Sequence, residues 1–313
     1  MSERMSRREF VARSLEAGAA GWAAAHLGCM PWGGGPSGAK DGRWKIGCFT
    51  RPFDSQDLGT AFDAVAEAGY RHVGLMTTNT PKNRLAISTD THPEEAGRIG
   101  EDARRRGLSV LAVYGGDIPV GESLGAGIRG LQRLLANCSA CGAKSLLMGG
   151  TGRTELFDPY YRAVAACCDE AAGRGIEIIV KPHGGLNATG PQCRAIVEKV
   201  GHPNFRIWYD PGNIFYYSNG ALDPVADCPS VDGLVTGMCV KDYLPPKNVQ
   251  VTPGTGKVNF RSVFTRLASG GFTRGSLVVE CVAPGDLKQT VAEARKAREF
   301  VETWIRDATP GRG

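Results

Sequence analysis

The chain has 313 residues, 42% hydrophobic and 22% charged, which is enough apolar material for a sizeable core and excludes a globally disordered chain. Its 37 Lys and Arg against 32 Asp and Glu give a net charge of +5, dispersed along the sequence and not clustered as in a dedicated nucleic-acid binder. No window reaches the roughly 18 uninterrupted apolar residues of an ordinary membrane span.

The first element in chain order is an address. Ser6-Arg7-Arg8-Glu9-Phe10-Val11 is followed by an Ala- and Gly-rich stretch from Leu15 to Gly28. Paired arginines, a phenylalanine and a weakly apolar segment resemble the twin-arginine export signal. That resemblance implies the twin-arginine translocase as a transient partner and a periplasmic or other extracytoplasmic destination. Glu16 and Trp22 make the segment less apolar than usual, and Ala23-Ala24-Ala25 offers a small-residue cleavage site. Leu27-Gly28-Cys29 is a poor lipid-attachment motif, because Leu27 stands one place too close to Cys29. Residues 1–29 are read as the signal segment and 30–42, rich in Gly and Pro, as a linker.

Beyond the linker one theme repeats. Short apolar runs at Lys45–Thr50, His72–Thr77, Leu108–Tyr114, Ser145–Gly149, Ile176–Val180, Arg206–Asp210, Leu234–Val240 and Leu277–Val282 are predicted strands. Helical spacing separates them, at Leu58–Gly69, Pro93–Arg106, Glu122–Cys141, Pro159–Gly175, Gln192–Val200, Phe260–Ser269 and Leu287–Ile305. The sixth crossover, Ile214–Val231, is irregular and contains Pro224 and Pro229. Gly69, Gly107, Gly142, Gly175 and Gly271 stand where helices should end in a left-handed cap. Strands that are apolar on both faces, each followed by a helix, call for a buried parallel sheet. Eight of them close an α/β (β/α)8 TIM barrel, a single domain over residues 43–306 with a tail at 307–313. An open doubly wound sheet is the rival, but Thr50-Arg51-Pro52-Phe53 after the first strand is no glycine-rich phosphate loop.

Ten cysteines accompany this pattern, one of them Cys29. Cys138, Cys141, Cys167, Cys168 and Cys193 fall in helices, and Cys48, Cys239 and Cys281 in strands. Such placement fits buried thiols acting as small hydrophobes better than a disulfide framework. Cys138-x-x-Cys141 has no second pair nearby to complete a zinc site.

In a barrel the chemistry sits at the C-terminal ends of the strands. Those positions hold Thr50 and Arg51, Tyr114 and Asp117, Lys181-Pro182-His183-Gly184-Gly185, Asp210-Pro211-Gly212-Asn213, Cys239-Val240-Lys241-Asp242-Tyr243, and Glu280. Each has a plainer reading. Lys181 and Glu280 would serve as a fastening ion pair, Asp210 as a helix cap, His183 as a backbone partner, Lys241 and Asp242 as a solvated rim, and Cys239 as core. Together, a lysine and two acids from three strands point into one mouth.

The segments Ile178–Gly185, Trp208–Asn213, Val240–Tyr243, Gly254–Phe260 and Val278–Val282 carry a resemblance that covers roughly residues 44–305. The chain resembles the xylose isomerase-like barrels grouped as sugar phosphate isomerases and epimerases. The resemblance implies a divalent metal held by Glu, Asp, His and Glu on strands five to eight, with the two Glu moving a proton next to a carbonyl. It carries over onto Asp210 and Glu280, and the family's Lys-Asp falls on Lys241 and Asp242. Lys181 replaces the first Glu, Cys239 replaces the His, and Asn213 stands where many members have His.

An ammonium at a ligand position repels a divalent ion, two carboxylates hold Mg²⁺ or Mn²⁺ poorly, and a thiol suits Zn²⁺. The expectation is therefore no tightly bound cofactor, with Asp210 and Glu280 as the metal ligands if there is one. Lys181 is expected to polarise a substrate carbonyl, and Glu280 or His183 to move the proton. Arg51, Asp210, Asn213, Lys241 and Asp242 are expected to bind the substrate. The expected activity is isomerisation, epimerisation or a related dehydration of a keto sugar, an aldose or a cyclic polyol. A sugar-binding barrel without turnover is the alternative. A DNA-repair role of the endonuclease IV type would need a His-rich cluster of three metals, and the chain has only five His.

Overall fold

In a computed structural model, residues 43–79 and 84–308 are described. The expected signal segment and linker lie outside them. Eight parallel strands form a closed barrel in sequential order: β1 (Trp44–Phe49), β2 (His72–Leu75), β3 (Ser109–Tyr114), β4 (Ser145–Met148), β5 (Glu177–Val180), β6 (Phe205–Tyr209), β7 (Val235–Val240) and β8 (Gly275–Val279). The ladder between β1 and β8 closes it, with Trp44 opposite Gly275 and Cys48 opposite Val279. The outer helices are α1 (Leu58–Glu67), α2 (Pro93–Arg105), α3 (Leu124–Cys141), α4 (Thr154–Gly173), α5 (Gly190–Val200), α6 (Pro211–Tyr217), α7 (Pro224–Asp227), α8 (Phe260–Ser269) and α9 (Leu287–Ala308). The irregular crossover is thus α6, α7 and a single 3-10 turn at Cys228–Val231.

Local signals explain most boundaries. Asp57 and Ser123 accept hydrogen bonds from the amides of Thr60 and Ala126 and so cap α1 and α3. Thr189 and Gln192 form a reciprocal capping box on α5. The five glycines expected at helix ends all have positive φ, from +64° at Gly175 to +100° at Gly271. One boundary differs clearly: α4 begins at Thr154, five positions before Pro159. Its buried face already includes Tyr160 and Tyr161, and that packing outweighs the missing amide of a proline in the second turn. β8 also starts and stops earlier than expected, because Glu280, Cys281 and Val282 continue past the ladder into the mouth.

The strands alternate between two cores. Ile178, Val180, Ile207, Tyr209, Met238, Val240, Leu277 and Val279 face outward into the layer beneath the helices. Ile179, Trp208, Cys239 and Val278 face inward with Phe49, Leu111 and Leu147 and plug the lumen. A strand returns to the same face every second residue. The next inward positions above Phe49, Ile179, Trp208, Cys239 and Val278 are therefore Arg51, Lys181, Asp210, Lys241 and Glu280. One pleat separates an apolar layer from a layer that is charged at the ends of β1 and of β5 to β8.

Candidate functional site

That charged layer is a closed network. The Lys181 ammonium donates to Glu280 Oε2 at 2.6 Å and to Asp210 Oδ2 at 3.2 Å. Lys241 Nζ lies 3.1 Å from Asp210 Oδ2 and 2.6 Å from Glu280 Oε1, and donates to Asn213 Oδ1 at 3.1 Å. Arg51 Nη1 donates to Glu280 Oε1 at 2.7 Å. Three cations thus hold two carboxylates. The side chains of Lys181, Asp210, Lys241 and Glu280 are all at most 2% exposed, whereas that of Arg51 is 34% exposed. The network brings together Lys181, Asp210, Lys241, Glu280, Asn213 and Arg51.

Burial works against every charge here, and the partners decide the outcome. It lowers the Lys181 ammonium, but Cys239, Glu280 and Asp210 more than reverse this and hold the lysine well above its usual value. The Cys239 thiol is itself pushed far up by burial and is neutral, so the two carboxylates are the charges that hold Lys181. Lys241 is likewise raised, by Asp210 and Glu280 against burial and Lys181. Burial acts to raise the Glu280 carboxyl, yet Lys181, Lys241 and Arg51 keep it well below the ordinary carboxylate range. Both lysines are charged, and Glu280 is a weak base.

His183 stands over this floor in the loop after β5. Burial, then Lys181 and Lys241, lower its imidazole to about 3, so it is neutral near pH 7. Tyr114 and Tyr217 flank it, with ring centroids 6.1 and 6.0 Å away. The backbone amide of His183 donates to the Asn187 carbonyl at 2.9 Å. Gly184 follows with φ +86°, and a Cβ there would lie 2.4 Å from the Tyr217 ring, so glycine is what lets the loop pass. Buried Asn187 donates to the carbonyls of Lys181 at 2.8 Å and Gly149 at 2.9 Å, tying together the ends of β5 and β4. Sequence reasoning passed over Tyr217 and Asn187. The aromatic run Phe215-Tyr216-Tyr217 was a visible signal for the first; nothing marked the second.

Five of the expected site residues are engaged within the protein. Asn213 is not open to a substrate: its amide donates to the Pro182 carbonyl at 2.7 Å and its oxygen accepts from Lys241. Asp242 is fully buried, and its carboxylate accepts from the amides of Tyr243, Gly254, Gly256 and Val258 at 2.8 to 3.0 Å. It folds the loop after β7 and has no oxygen left for a sugar. Lys181 and Lys241 are sealed by the two carboxylates, and Asp210 by the two lysines; Arg51 is the cation of the network that reaches open space. Arg51 and Glu280 line a cleft of about 270 Å³ between the β1 and β8 loops. Asp210 both caps α6, accepting from the Asn213 amide at 3.0 Å, and binds the lysines, so the cap reading and the site reading hold together.

Asp210, Cys239 and Glu280 offer ligand atoms within 4.8 Å of one another, close enough to share a metal ion. The surrounding chemistry does not fit one. Two ammonium groups already occupy the carboxylate oxygens, and like charge at such distances opposes a divalent ion by several kcal/mol at intermediate dielectric. The thiol would also have to lose a proton that burial makes it keep.

Among the described residues no helix is long and apolar enough to cross a membrane. The family model for the xylose isomerase-like TIM barrel matches residues 62–307. No curated protein matches the chain. Among solved structures, a xylose isomerase domain protein from Planctomyces limnophilus is 20% identical, with a TM-score of 0.65 over 85% of this chain and 99% of that one. D-allulose 3-epimerase from Methylomonas sp., solved in complex with D-allulose, is 17% identical, with a TM-score of 0.63 over 86% and 99%. D-psicose 3-epimerase from Clostridium cellulolyticum H10, solved with D-tagatose, is 13% identical, with a TM-score of 0.62 over 83% and 99%. At these identities the likeness is one of fold.

Proposed function

The chain belongs to the xylose isomerase-like TIM barrel family, and from that premise we propose that it is an exported sugar isomerase or epimerase whose positive charge comes from side chains. The reaction removes and returns a proton next to the carbonyl of a keto sugar or an aldose; loss of water from the same intermediate is its dehydratase variant. The observation that carries the reading is the surplus of cations, Lys181, Lys241 and Arg51, over two buried carboxylates. A carbon acid develops negative charge on the carbonyl oxygen as its proton leaves, and preorganised positive charge stabilises that state.

Arg51 is the group that meets the oxygen. Its Nη1 is engaged by Glu280, and the partly exposed side chain lines the cleft. Lys181 and Lys241 position Glu280 and add their field from behind. His183 takes the proton. It is neutral and half-buried, and the repulsion that lowers it comes partly from the lysines. That repulsion fades as the developing enolate offsets their charge, so the imidazole gains basicity as the proton arrives. Export rests on Arg7-Arg8 and the stretch behind them.

The test is solvent exchange. Mature protein is incubated with D-allulose, D-fructose and D-tagatose in D₂O, and deuterium at the carbons beside the carbonyl is followed by NMR. Exchange above the uncatalysed rate, reduced about 10²- to 10⁴-fold in His183→Asn, supports the reading. Sugar binding without exchange favours a recognition barrel.

A further inference from the structure

The opposite end of the barrel carries a second cavity, remote from the charged mouth. It is an open depression of about 780 Å³ at the N-terminal ends of the strands. Its inner wall holds Ser145, Glu177, Arg206 and Ser276. These are the inward positions one pleat below Leu147, Ile179, Trp208 and Val278 of the apolar plug. Lys45, Lys144 and Arg274 stand exposed on the rim, and Arg43 lines it beside them.

Basic residues that look dispersed in the sequence are thus gathered on one face by the fold. Among the described residues, five basic side chains line this cup against one carboxylate, that of Glu177. Arg206 donates to the Gly233 carbonyl at 3.0 Å and offsets the Glu177 carboxylate, so the surplus positive charge is that of the other basic residues. The field reaches beyond the cup. Half-buried His72, at the start of β2, is held below the usual histidine value by burial and then by Lys45 and Arg71.

Size and lining narrow the ligand. The volume lies within the ~300–1,000 Å³ typical of small-molecule sites. Among the described residues no aromatic side chain lines the cavity, so they offer no stacking surface for the bases of a single strand. Hydroxyls of Ser145, Thr236, Thr273 and Ser276 supply donors of the kind that bind anionic oxygens. We propose that this cup binds a compact polyanion, a small molecule bearing three or four negative charges on phosphate or carboxylate groups.

The experiment is calorimetric titration of the mature protein with inorganic tripolyphosphate and with citrate, with acetate as the monovalent control. The expected result is binding of either polyanion, none of acetate, and weakening as salt is raised. Lys45→Glu/Arg274→Glu is expected to weaken binding about 30-fold or more. Lys45→Gln/Arg274→Gln gives a smaller loss in the same direction and serves if the reversed charges impair folding. No heat at millimolar tripolyphosphate and citrate, or binding indifferent to both double variants, overturns the proposal. So does a single-stranded oligonucleotide that binds more tightly than either small anion. Sugar exchange at the mouth is expected to be unchanged in both variants, so failure here and failure of the proposed reaction are read separately.

Discussion

Glu280 Oε2 lies 2.6 Å from the ammonium of Lys181, two side chains 99 positions apart in sequence that are both almost fully buried. Glu280 is the hub of the site, because its other oxygen is shared by Lys241 and Arg51. The partners therefore differ in what their loss leaves behind.

Lys181→Met leaves Lys241 and Arg51 to balance Asp210 and Glu280. Its expected cost is about 1.5–3 kcal/mol, the scale of a charged hydrogen bond. Glu280→Gln leaves three cations around one carboxylate, and about 3–5 kcal/mol is expected. Urea unfolding of both variants checks the order. A Glu280→Gln protein as stable as Lys181→Met would contradict the charge count. Both variants are expected to lose sugar exchange.

Chelation is expected to leave sugar exchange intact, measured after prolonged dialysis against EDTA with metal content followed by mass spectrometry. Lys181→Glu alone should gain little affinity for Mn²⁺, because Lys241 still bonds both carboxylates. Lys181→Glu combined with Lys241→Ala provides three hard carboxylates and removes both ammonium groups, and there Mn²⁺ binding is expected. Calorimetry with Mn²⁺ decides. Activity of the native protein that disappears with a stoichiometric metal would overturn the assignment of the positive charge to side chains.

Acid should destabilise the protein in two stages. His183 is held at about 3 against an ordinary 6.5. Between those values the unfolded chain binds a proton that the folded chain refuses, so stability falls as pH drops from 6.5. The slope is about 1.4 kcal/mol per pH unit for one such group. His72, lowered in the same direction, adds to it. Glu280 is held below its ordinary 4.5, so its contribution is complete above that value and is lost as pH falls below it. His183→Asn is expected to flatten the profile between pH 4.5 and 6.5 and leave the lower limb in place. Melting temperatures across that range check it.

Export is expected to depend on the arginine pair. Arg7→Lys/Arg8→Lys should strand full-length precursor in the cytoplasm, read by fractionation and immunoblotting. Undiminished export of the double variant would remove the support for an extracytoplasmic location.

The barrel was legible because its signal is repeated eight times: strand after strand reads as a short apolar run, and most end in Gly or charge. The site's location was legible for a related reason. Ile179-Val180-Lys181 and Val278-Val279-Glu280 each place an ionisable residue one pleat above a buried inward one. The Lys181–Glu280 pair and the Asp210 cap were legible as plain readings, and both are present, but the rest of the bonding was not. Lys241 was expected at the substrate, yet it shares both carboxylates with Lys181, because register across β5 to β8 sets those meetings. Asp242 misled for a similar reason. Its amide partners at Gly254 and Gly256 come from a loop whose path no periodicity encodes. Dispersed Lys and Arg told against a dedicated nucleic-acid binder, but linear spacing says little about what a closed barrel gathers at its rim.

All nine cysteines among the described residues are buried and unpaired. While the chain is folded, oxidants and thiol reagents meet little sulfur, and burial raises the thiols Cys48, Cys138 and Cys193, keeping them protonated and unreactive. Unfolding releases them all at once, into a chain with no native disulfide among the described residues to direct pairing. Heat in air would then scramble the sulfur and make denaturation a one-way event, with a shelf life set by the rate of opening more than by any equilibrium. A reducing agent would matter little to the native protein and decide whether a melted sample returns.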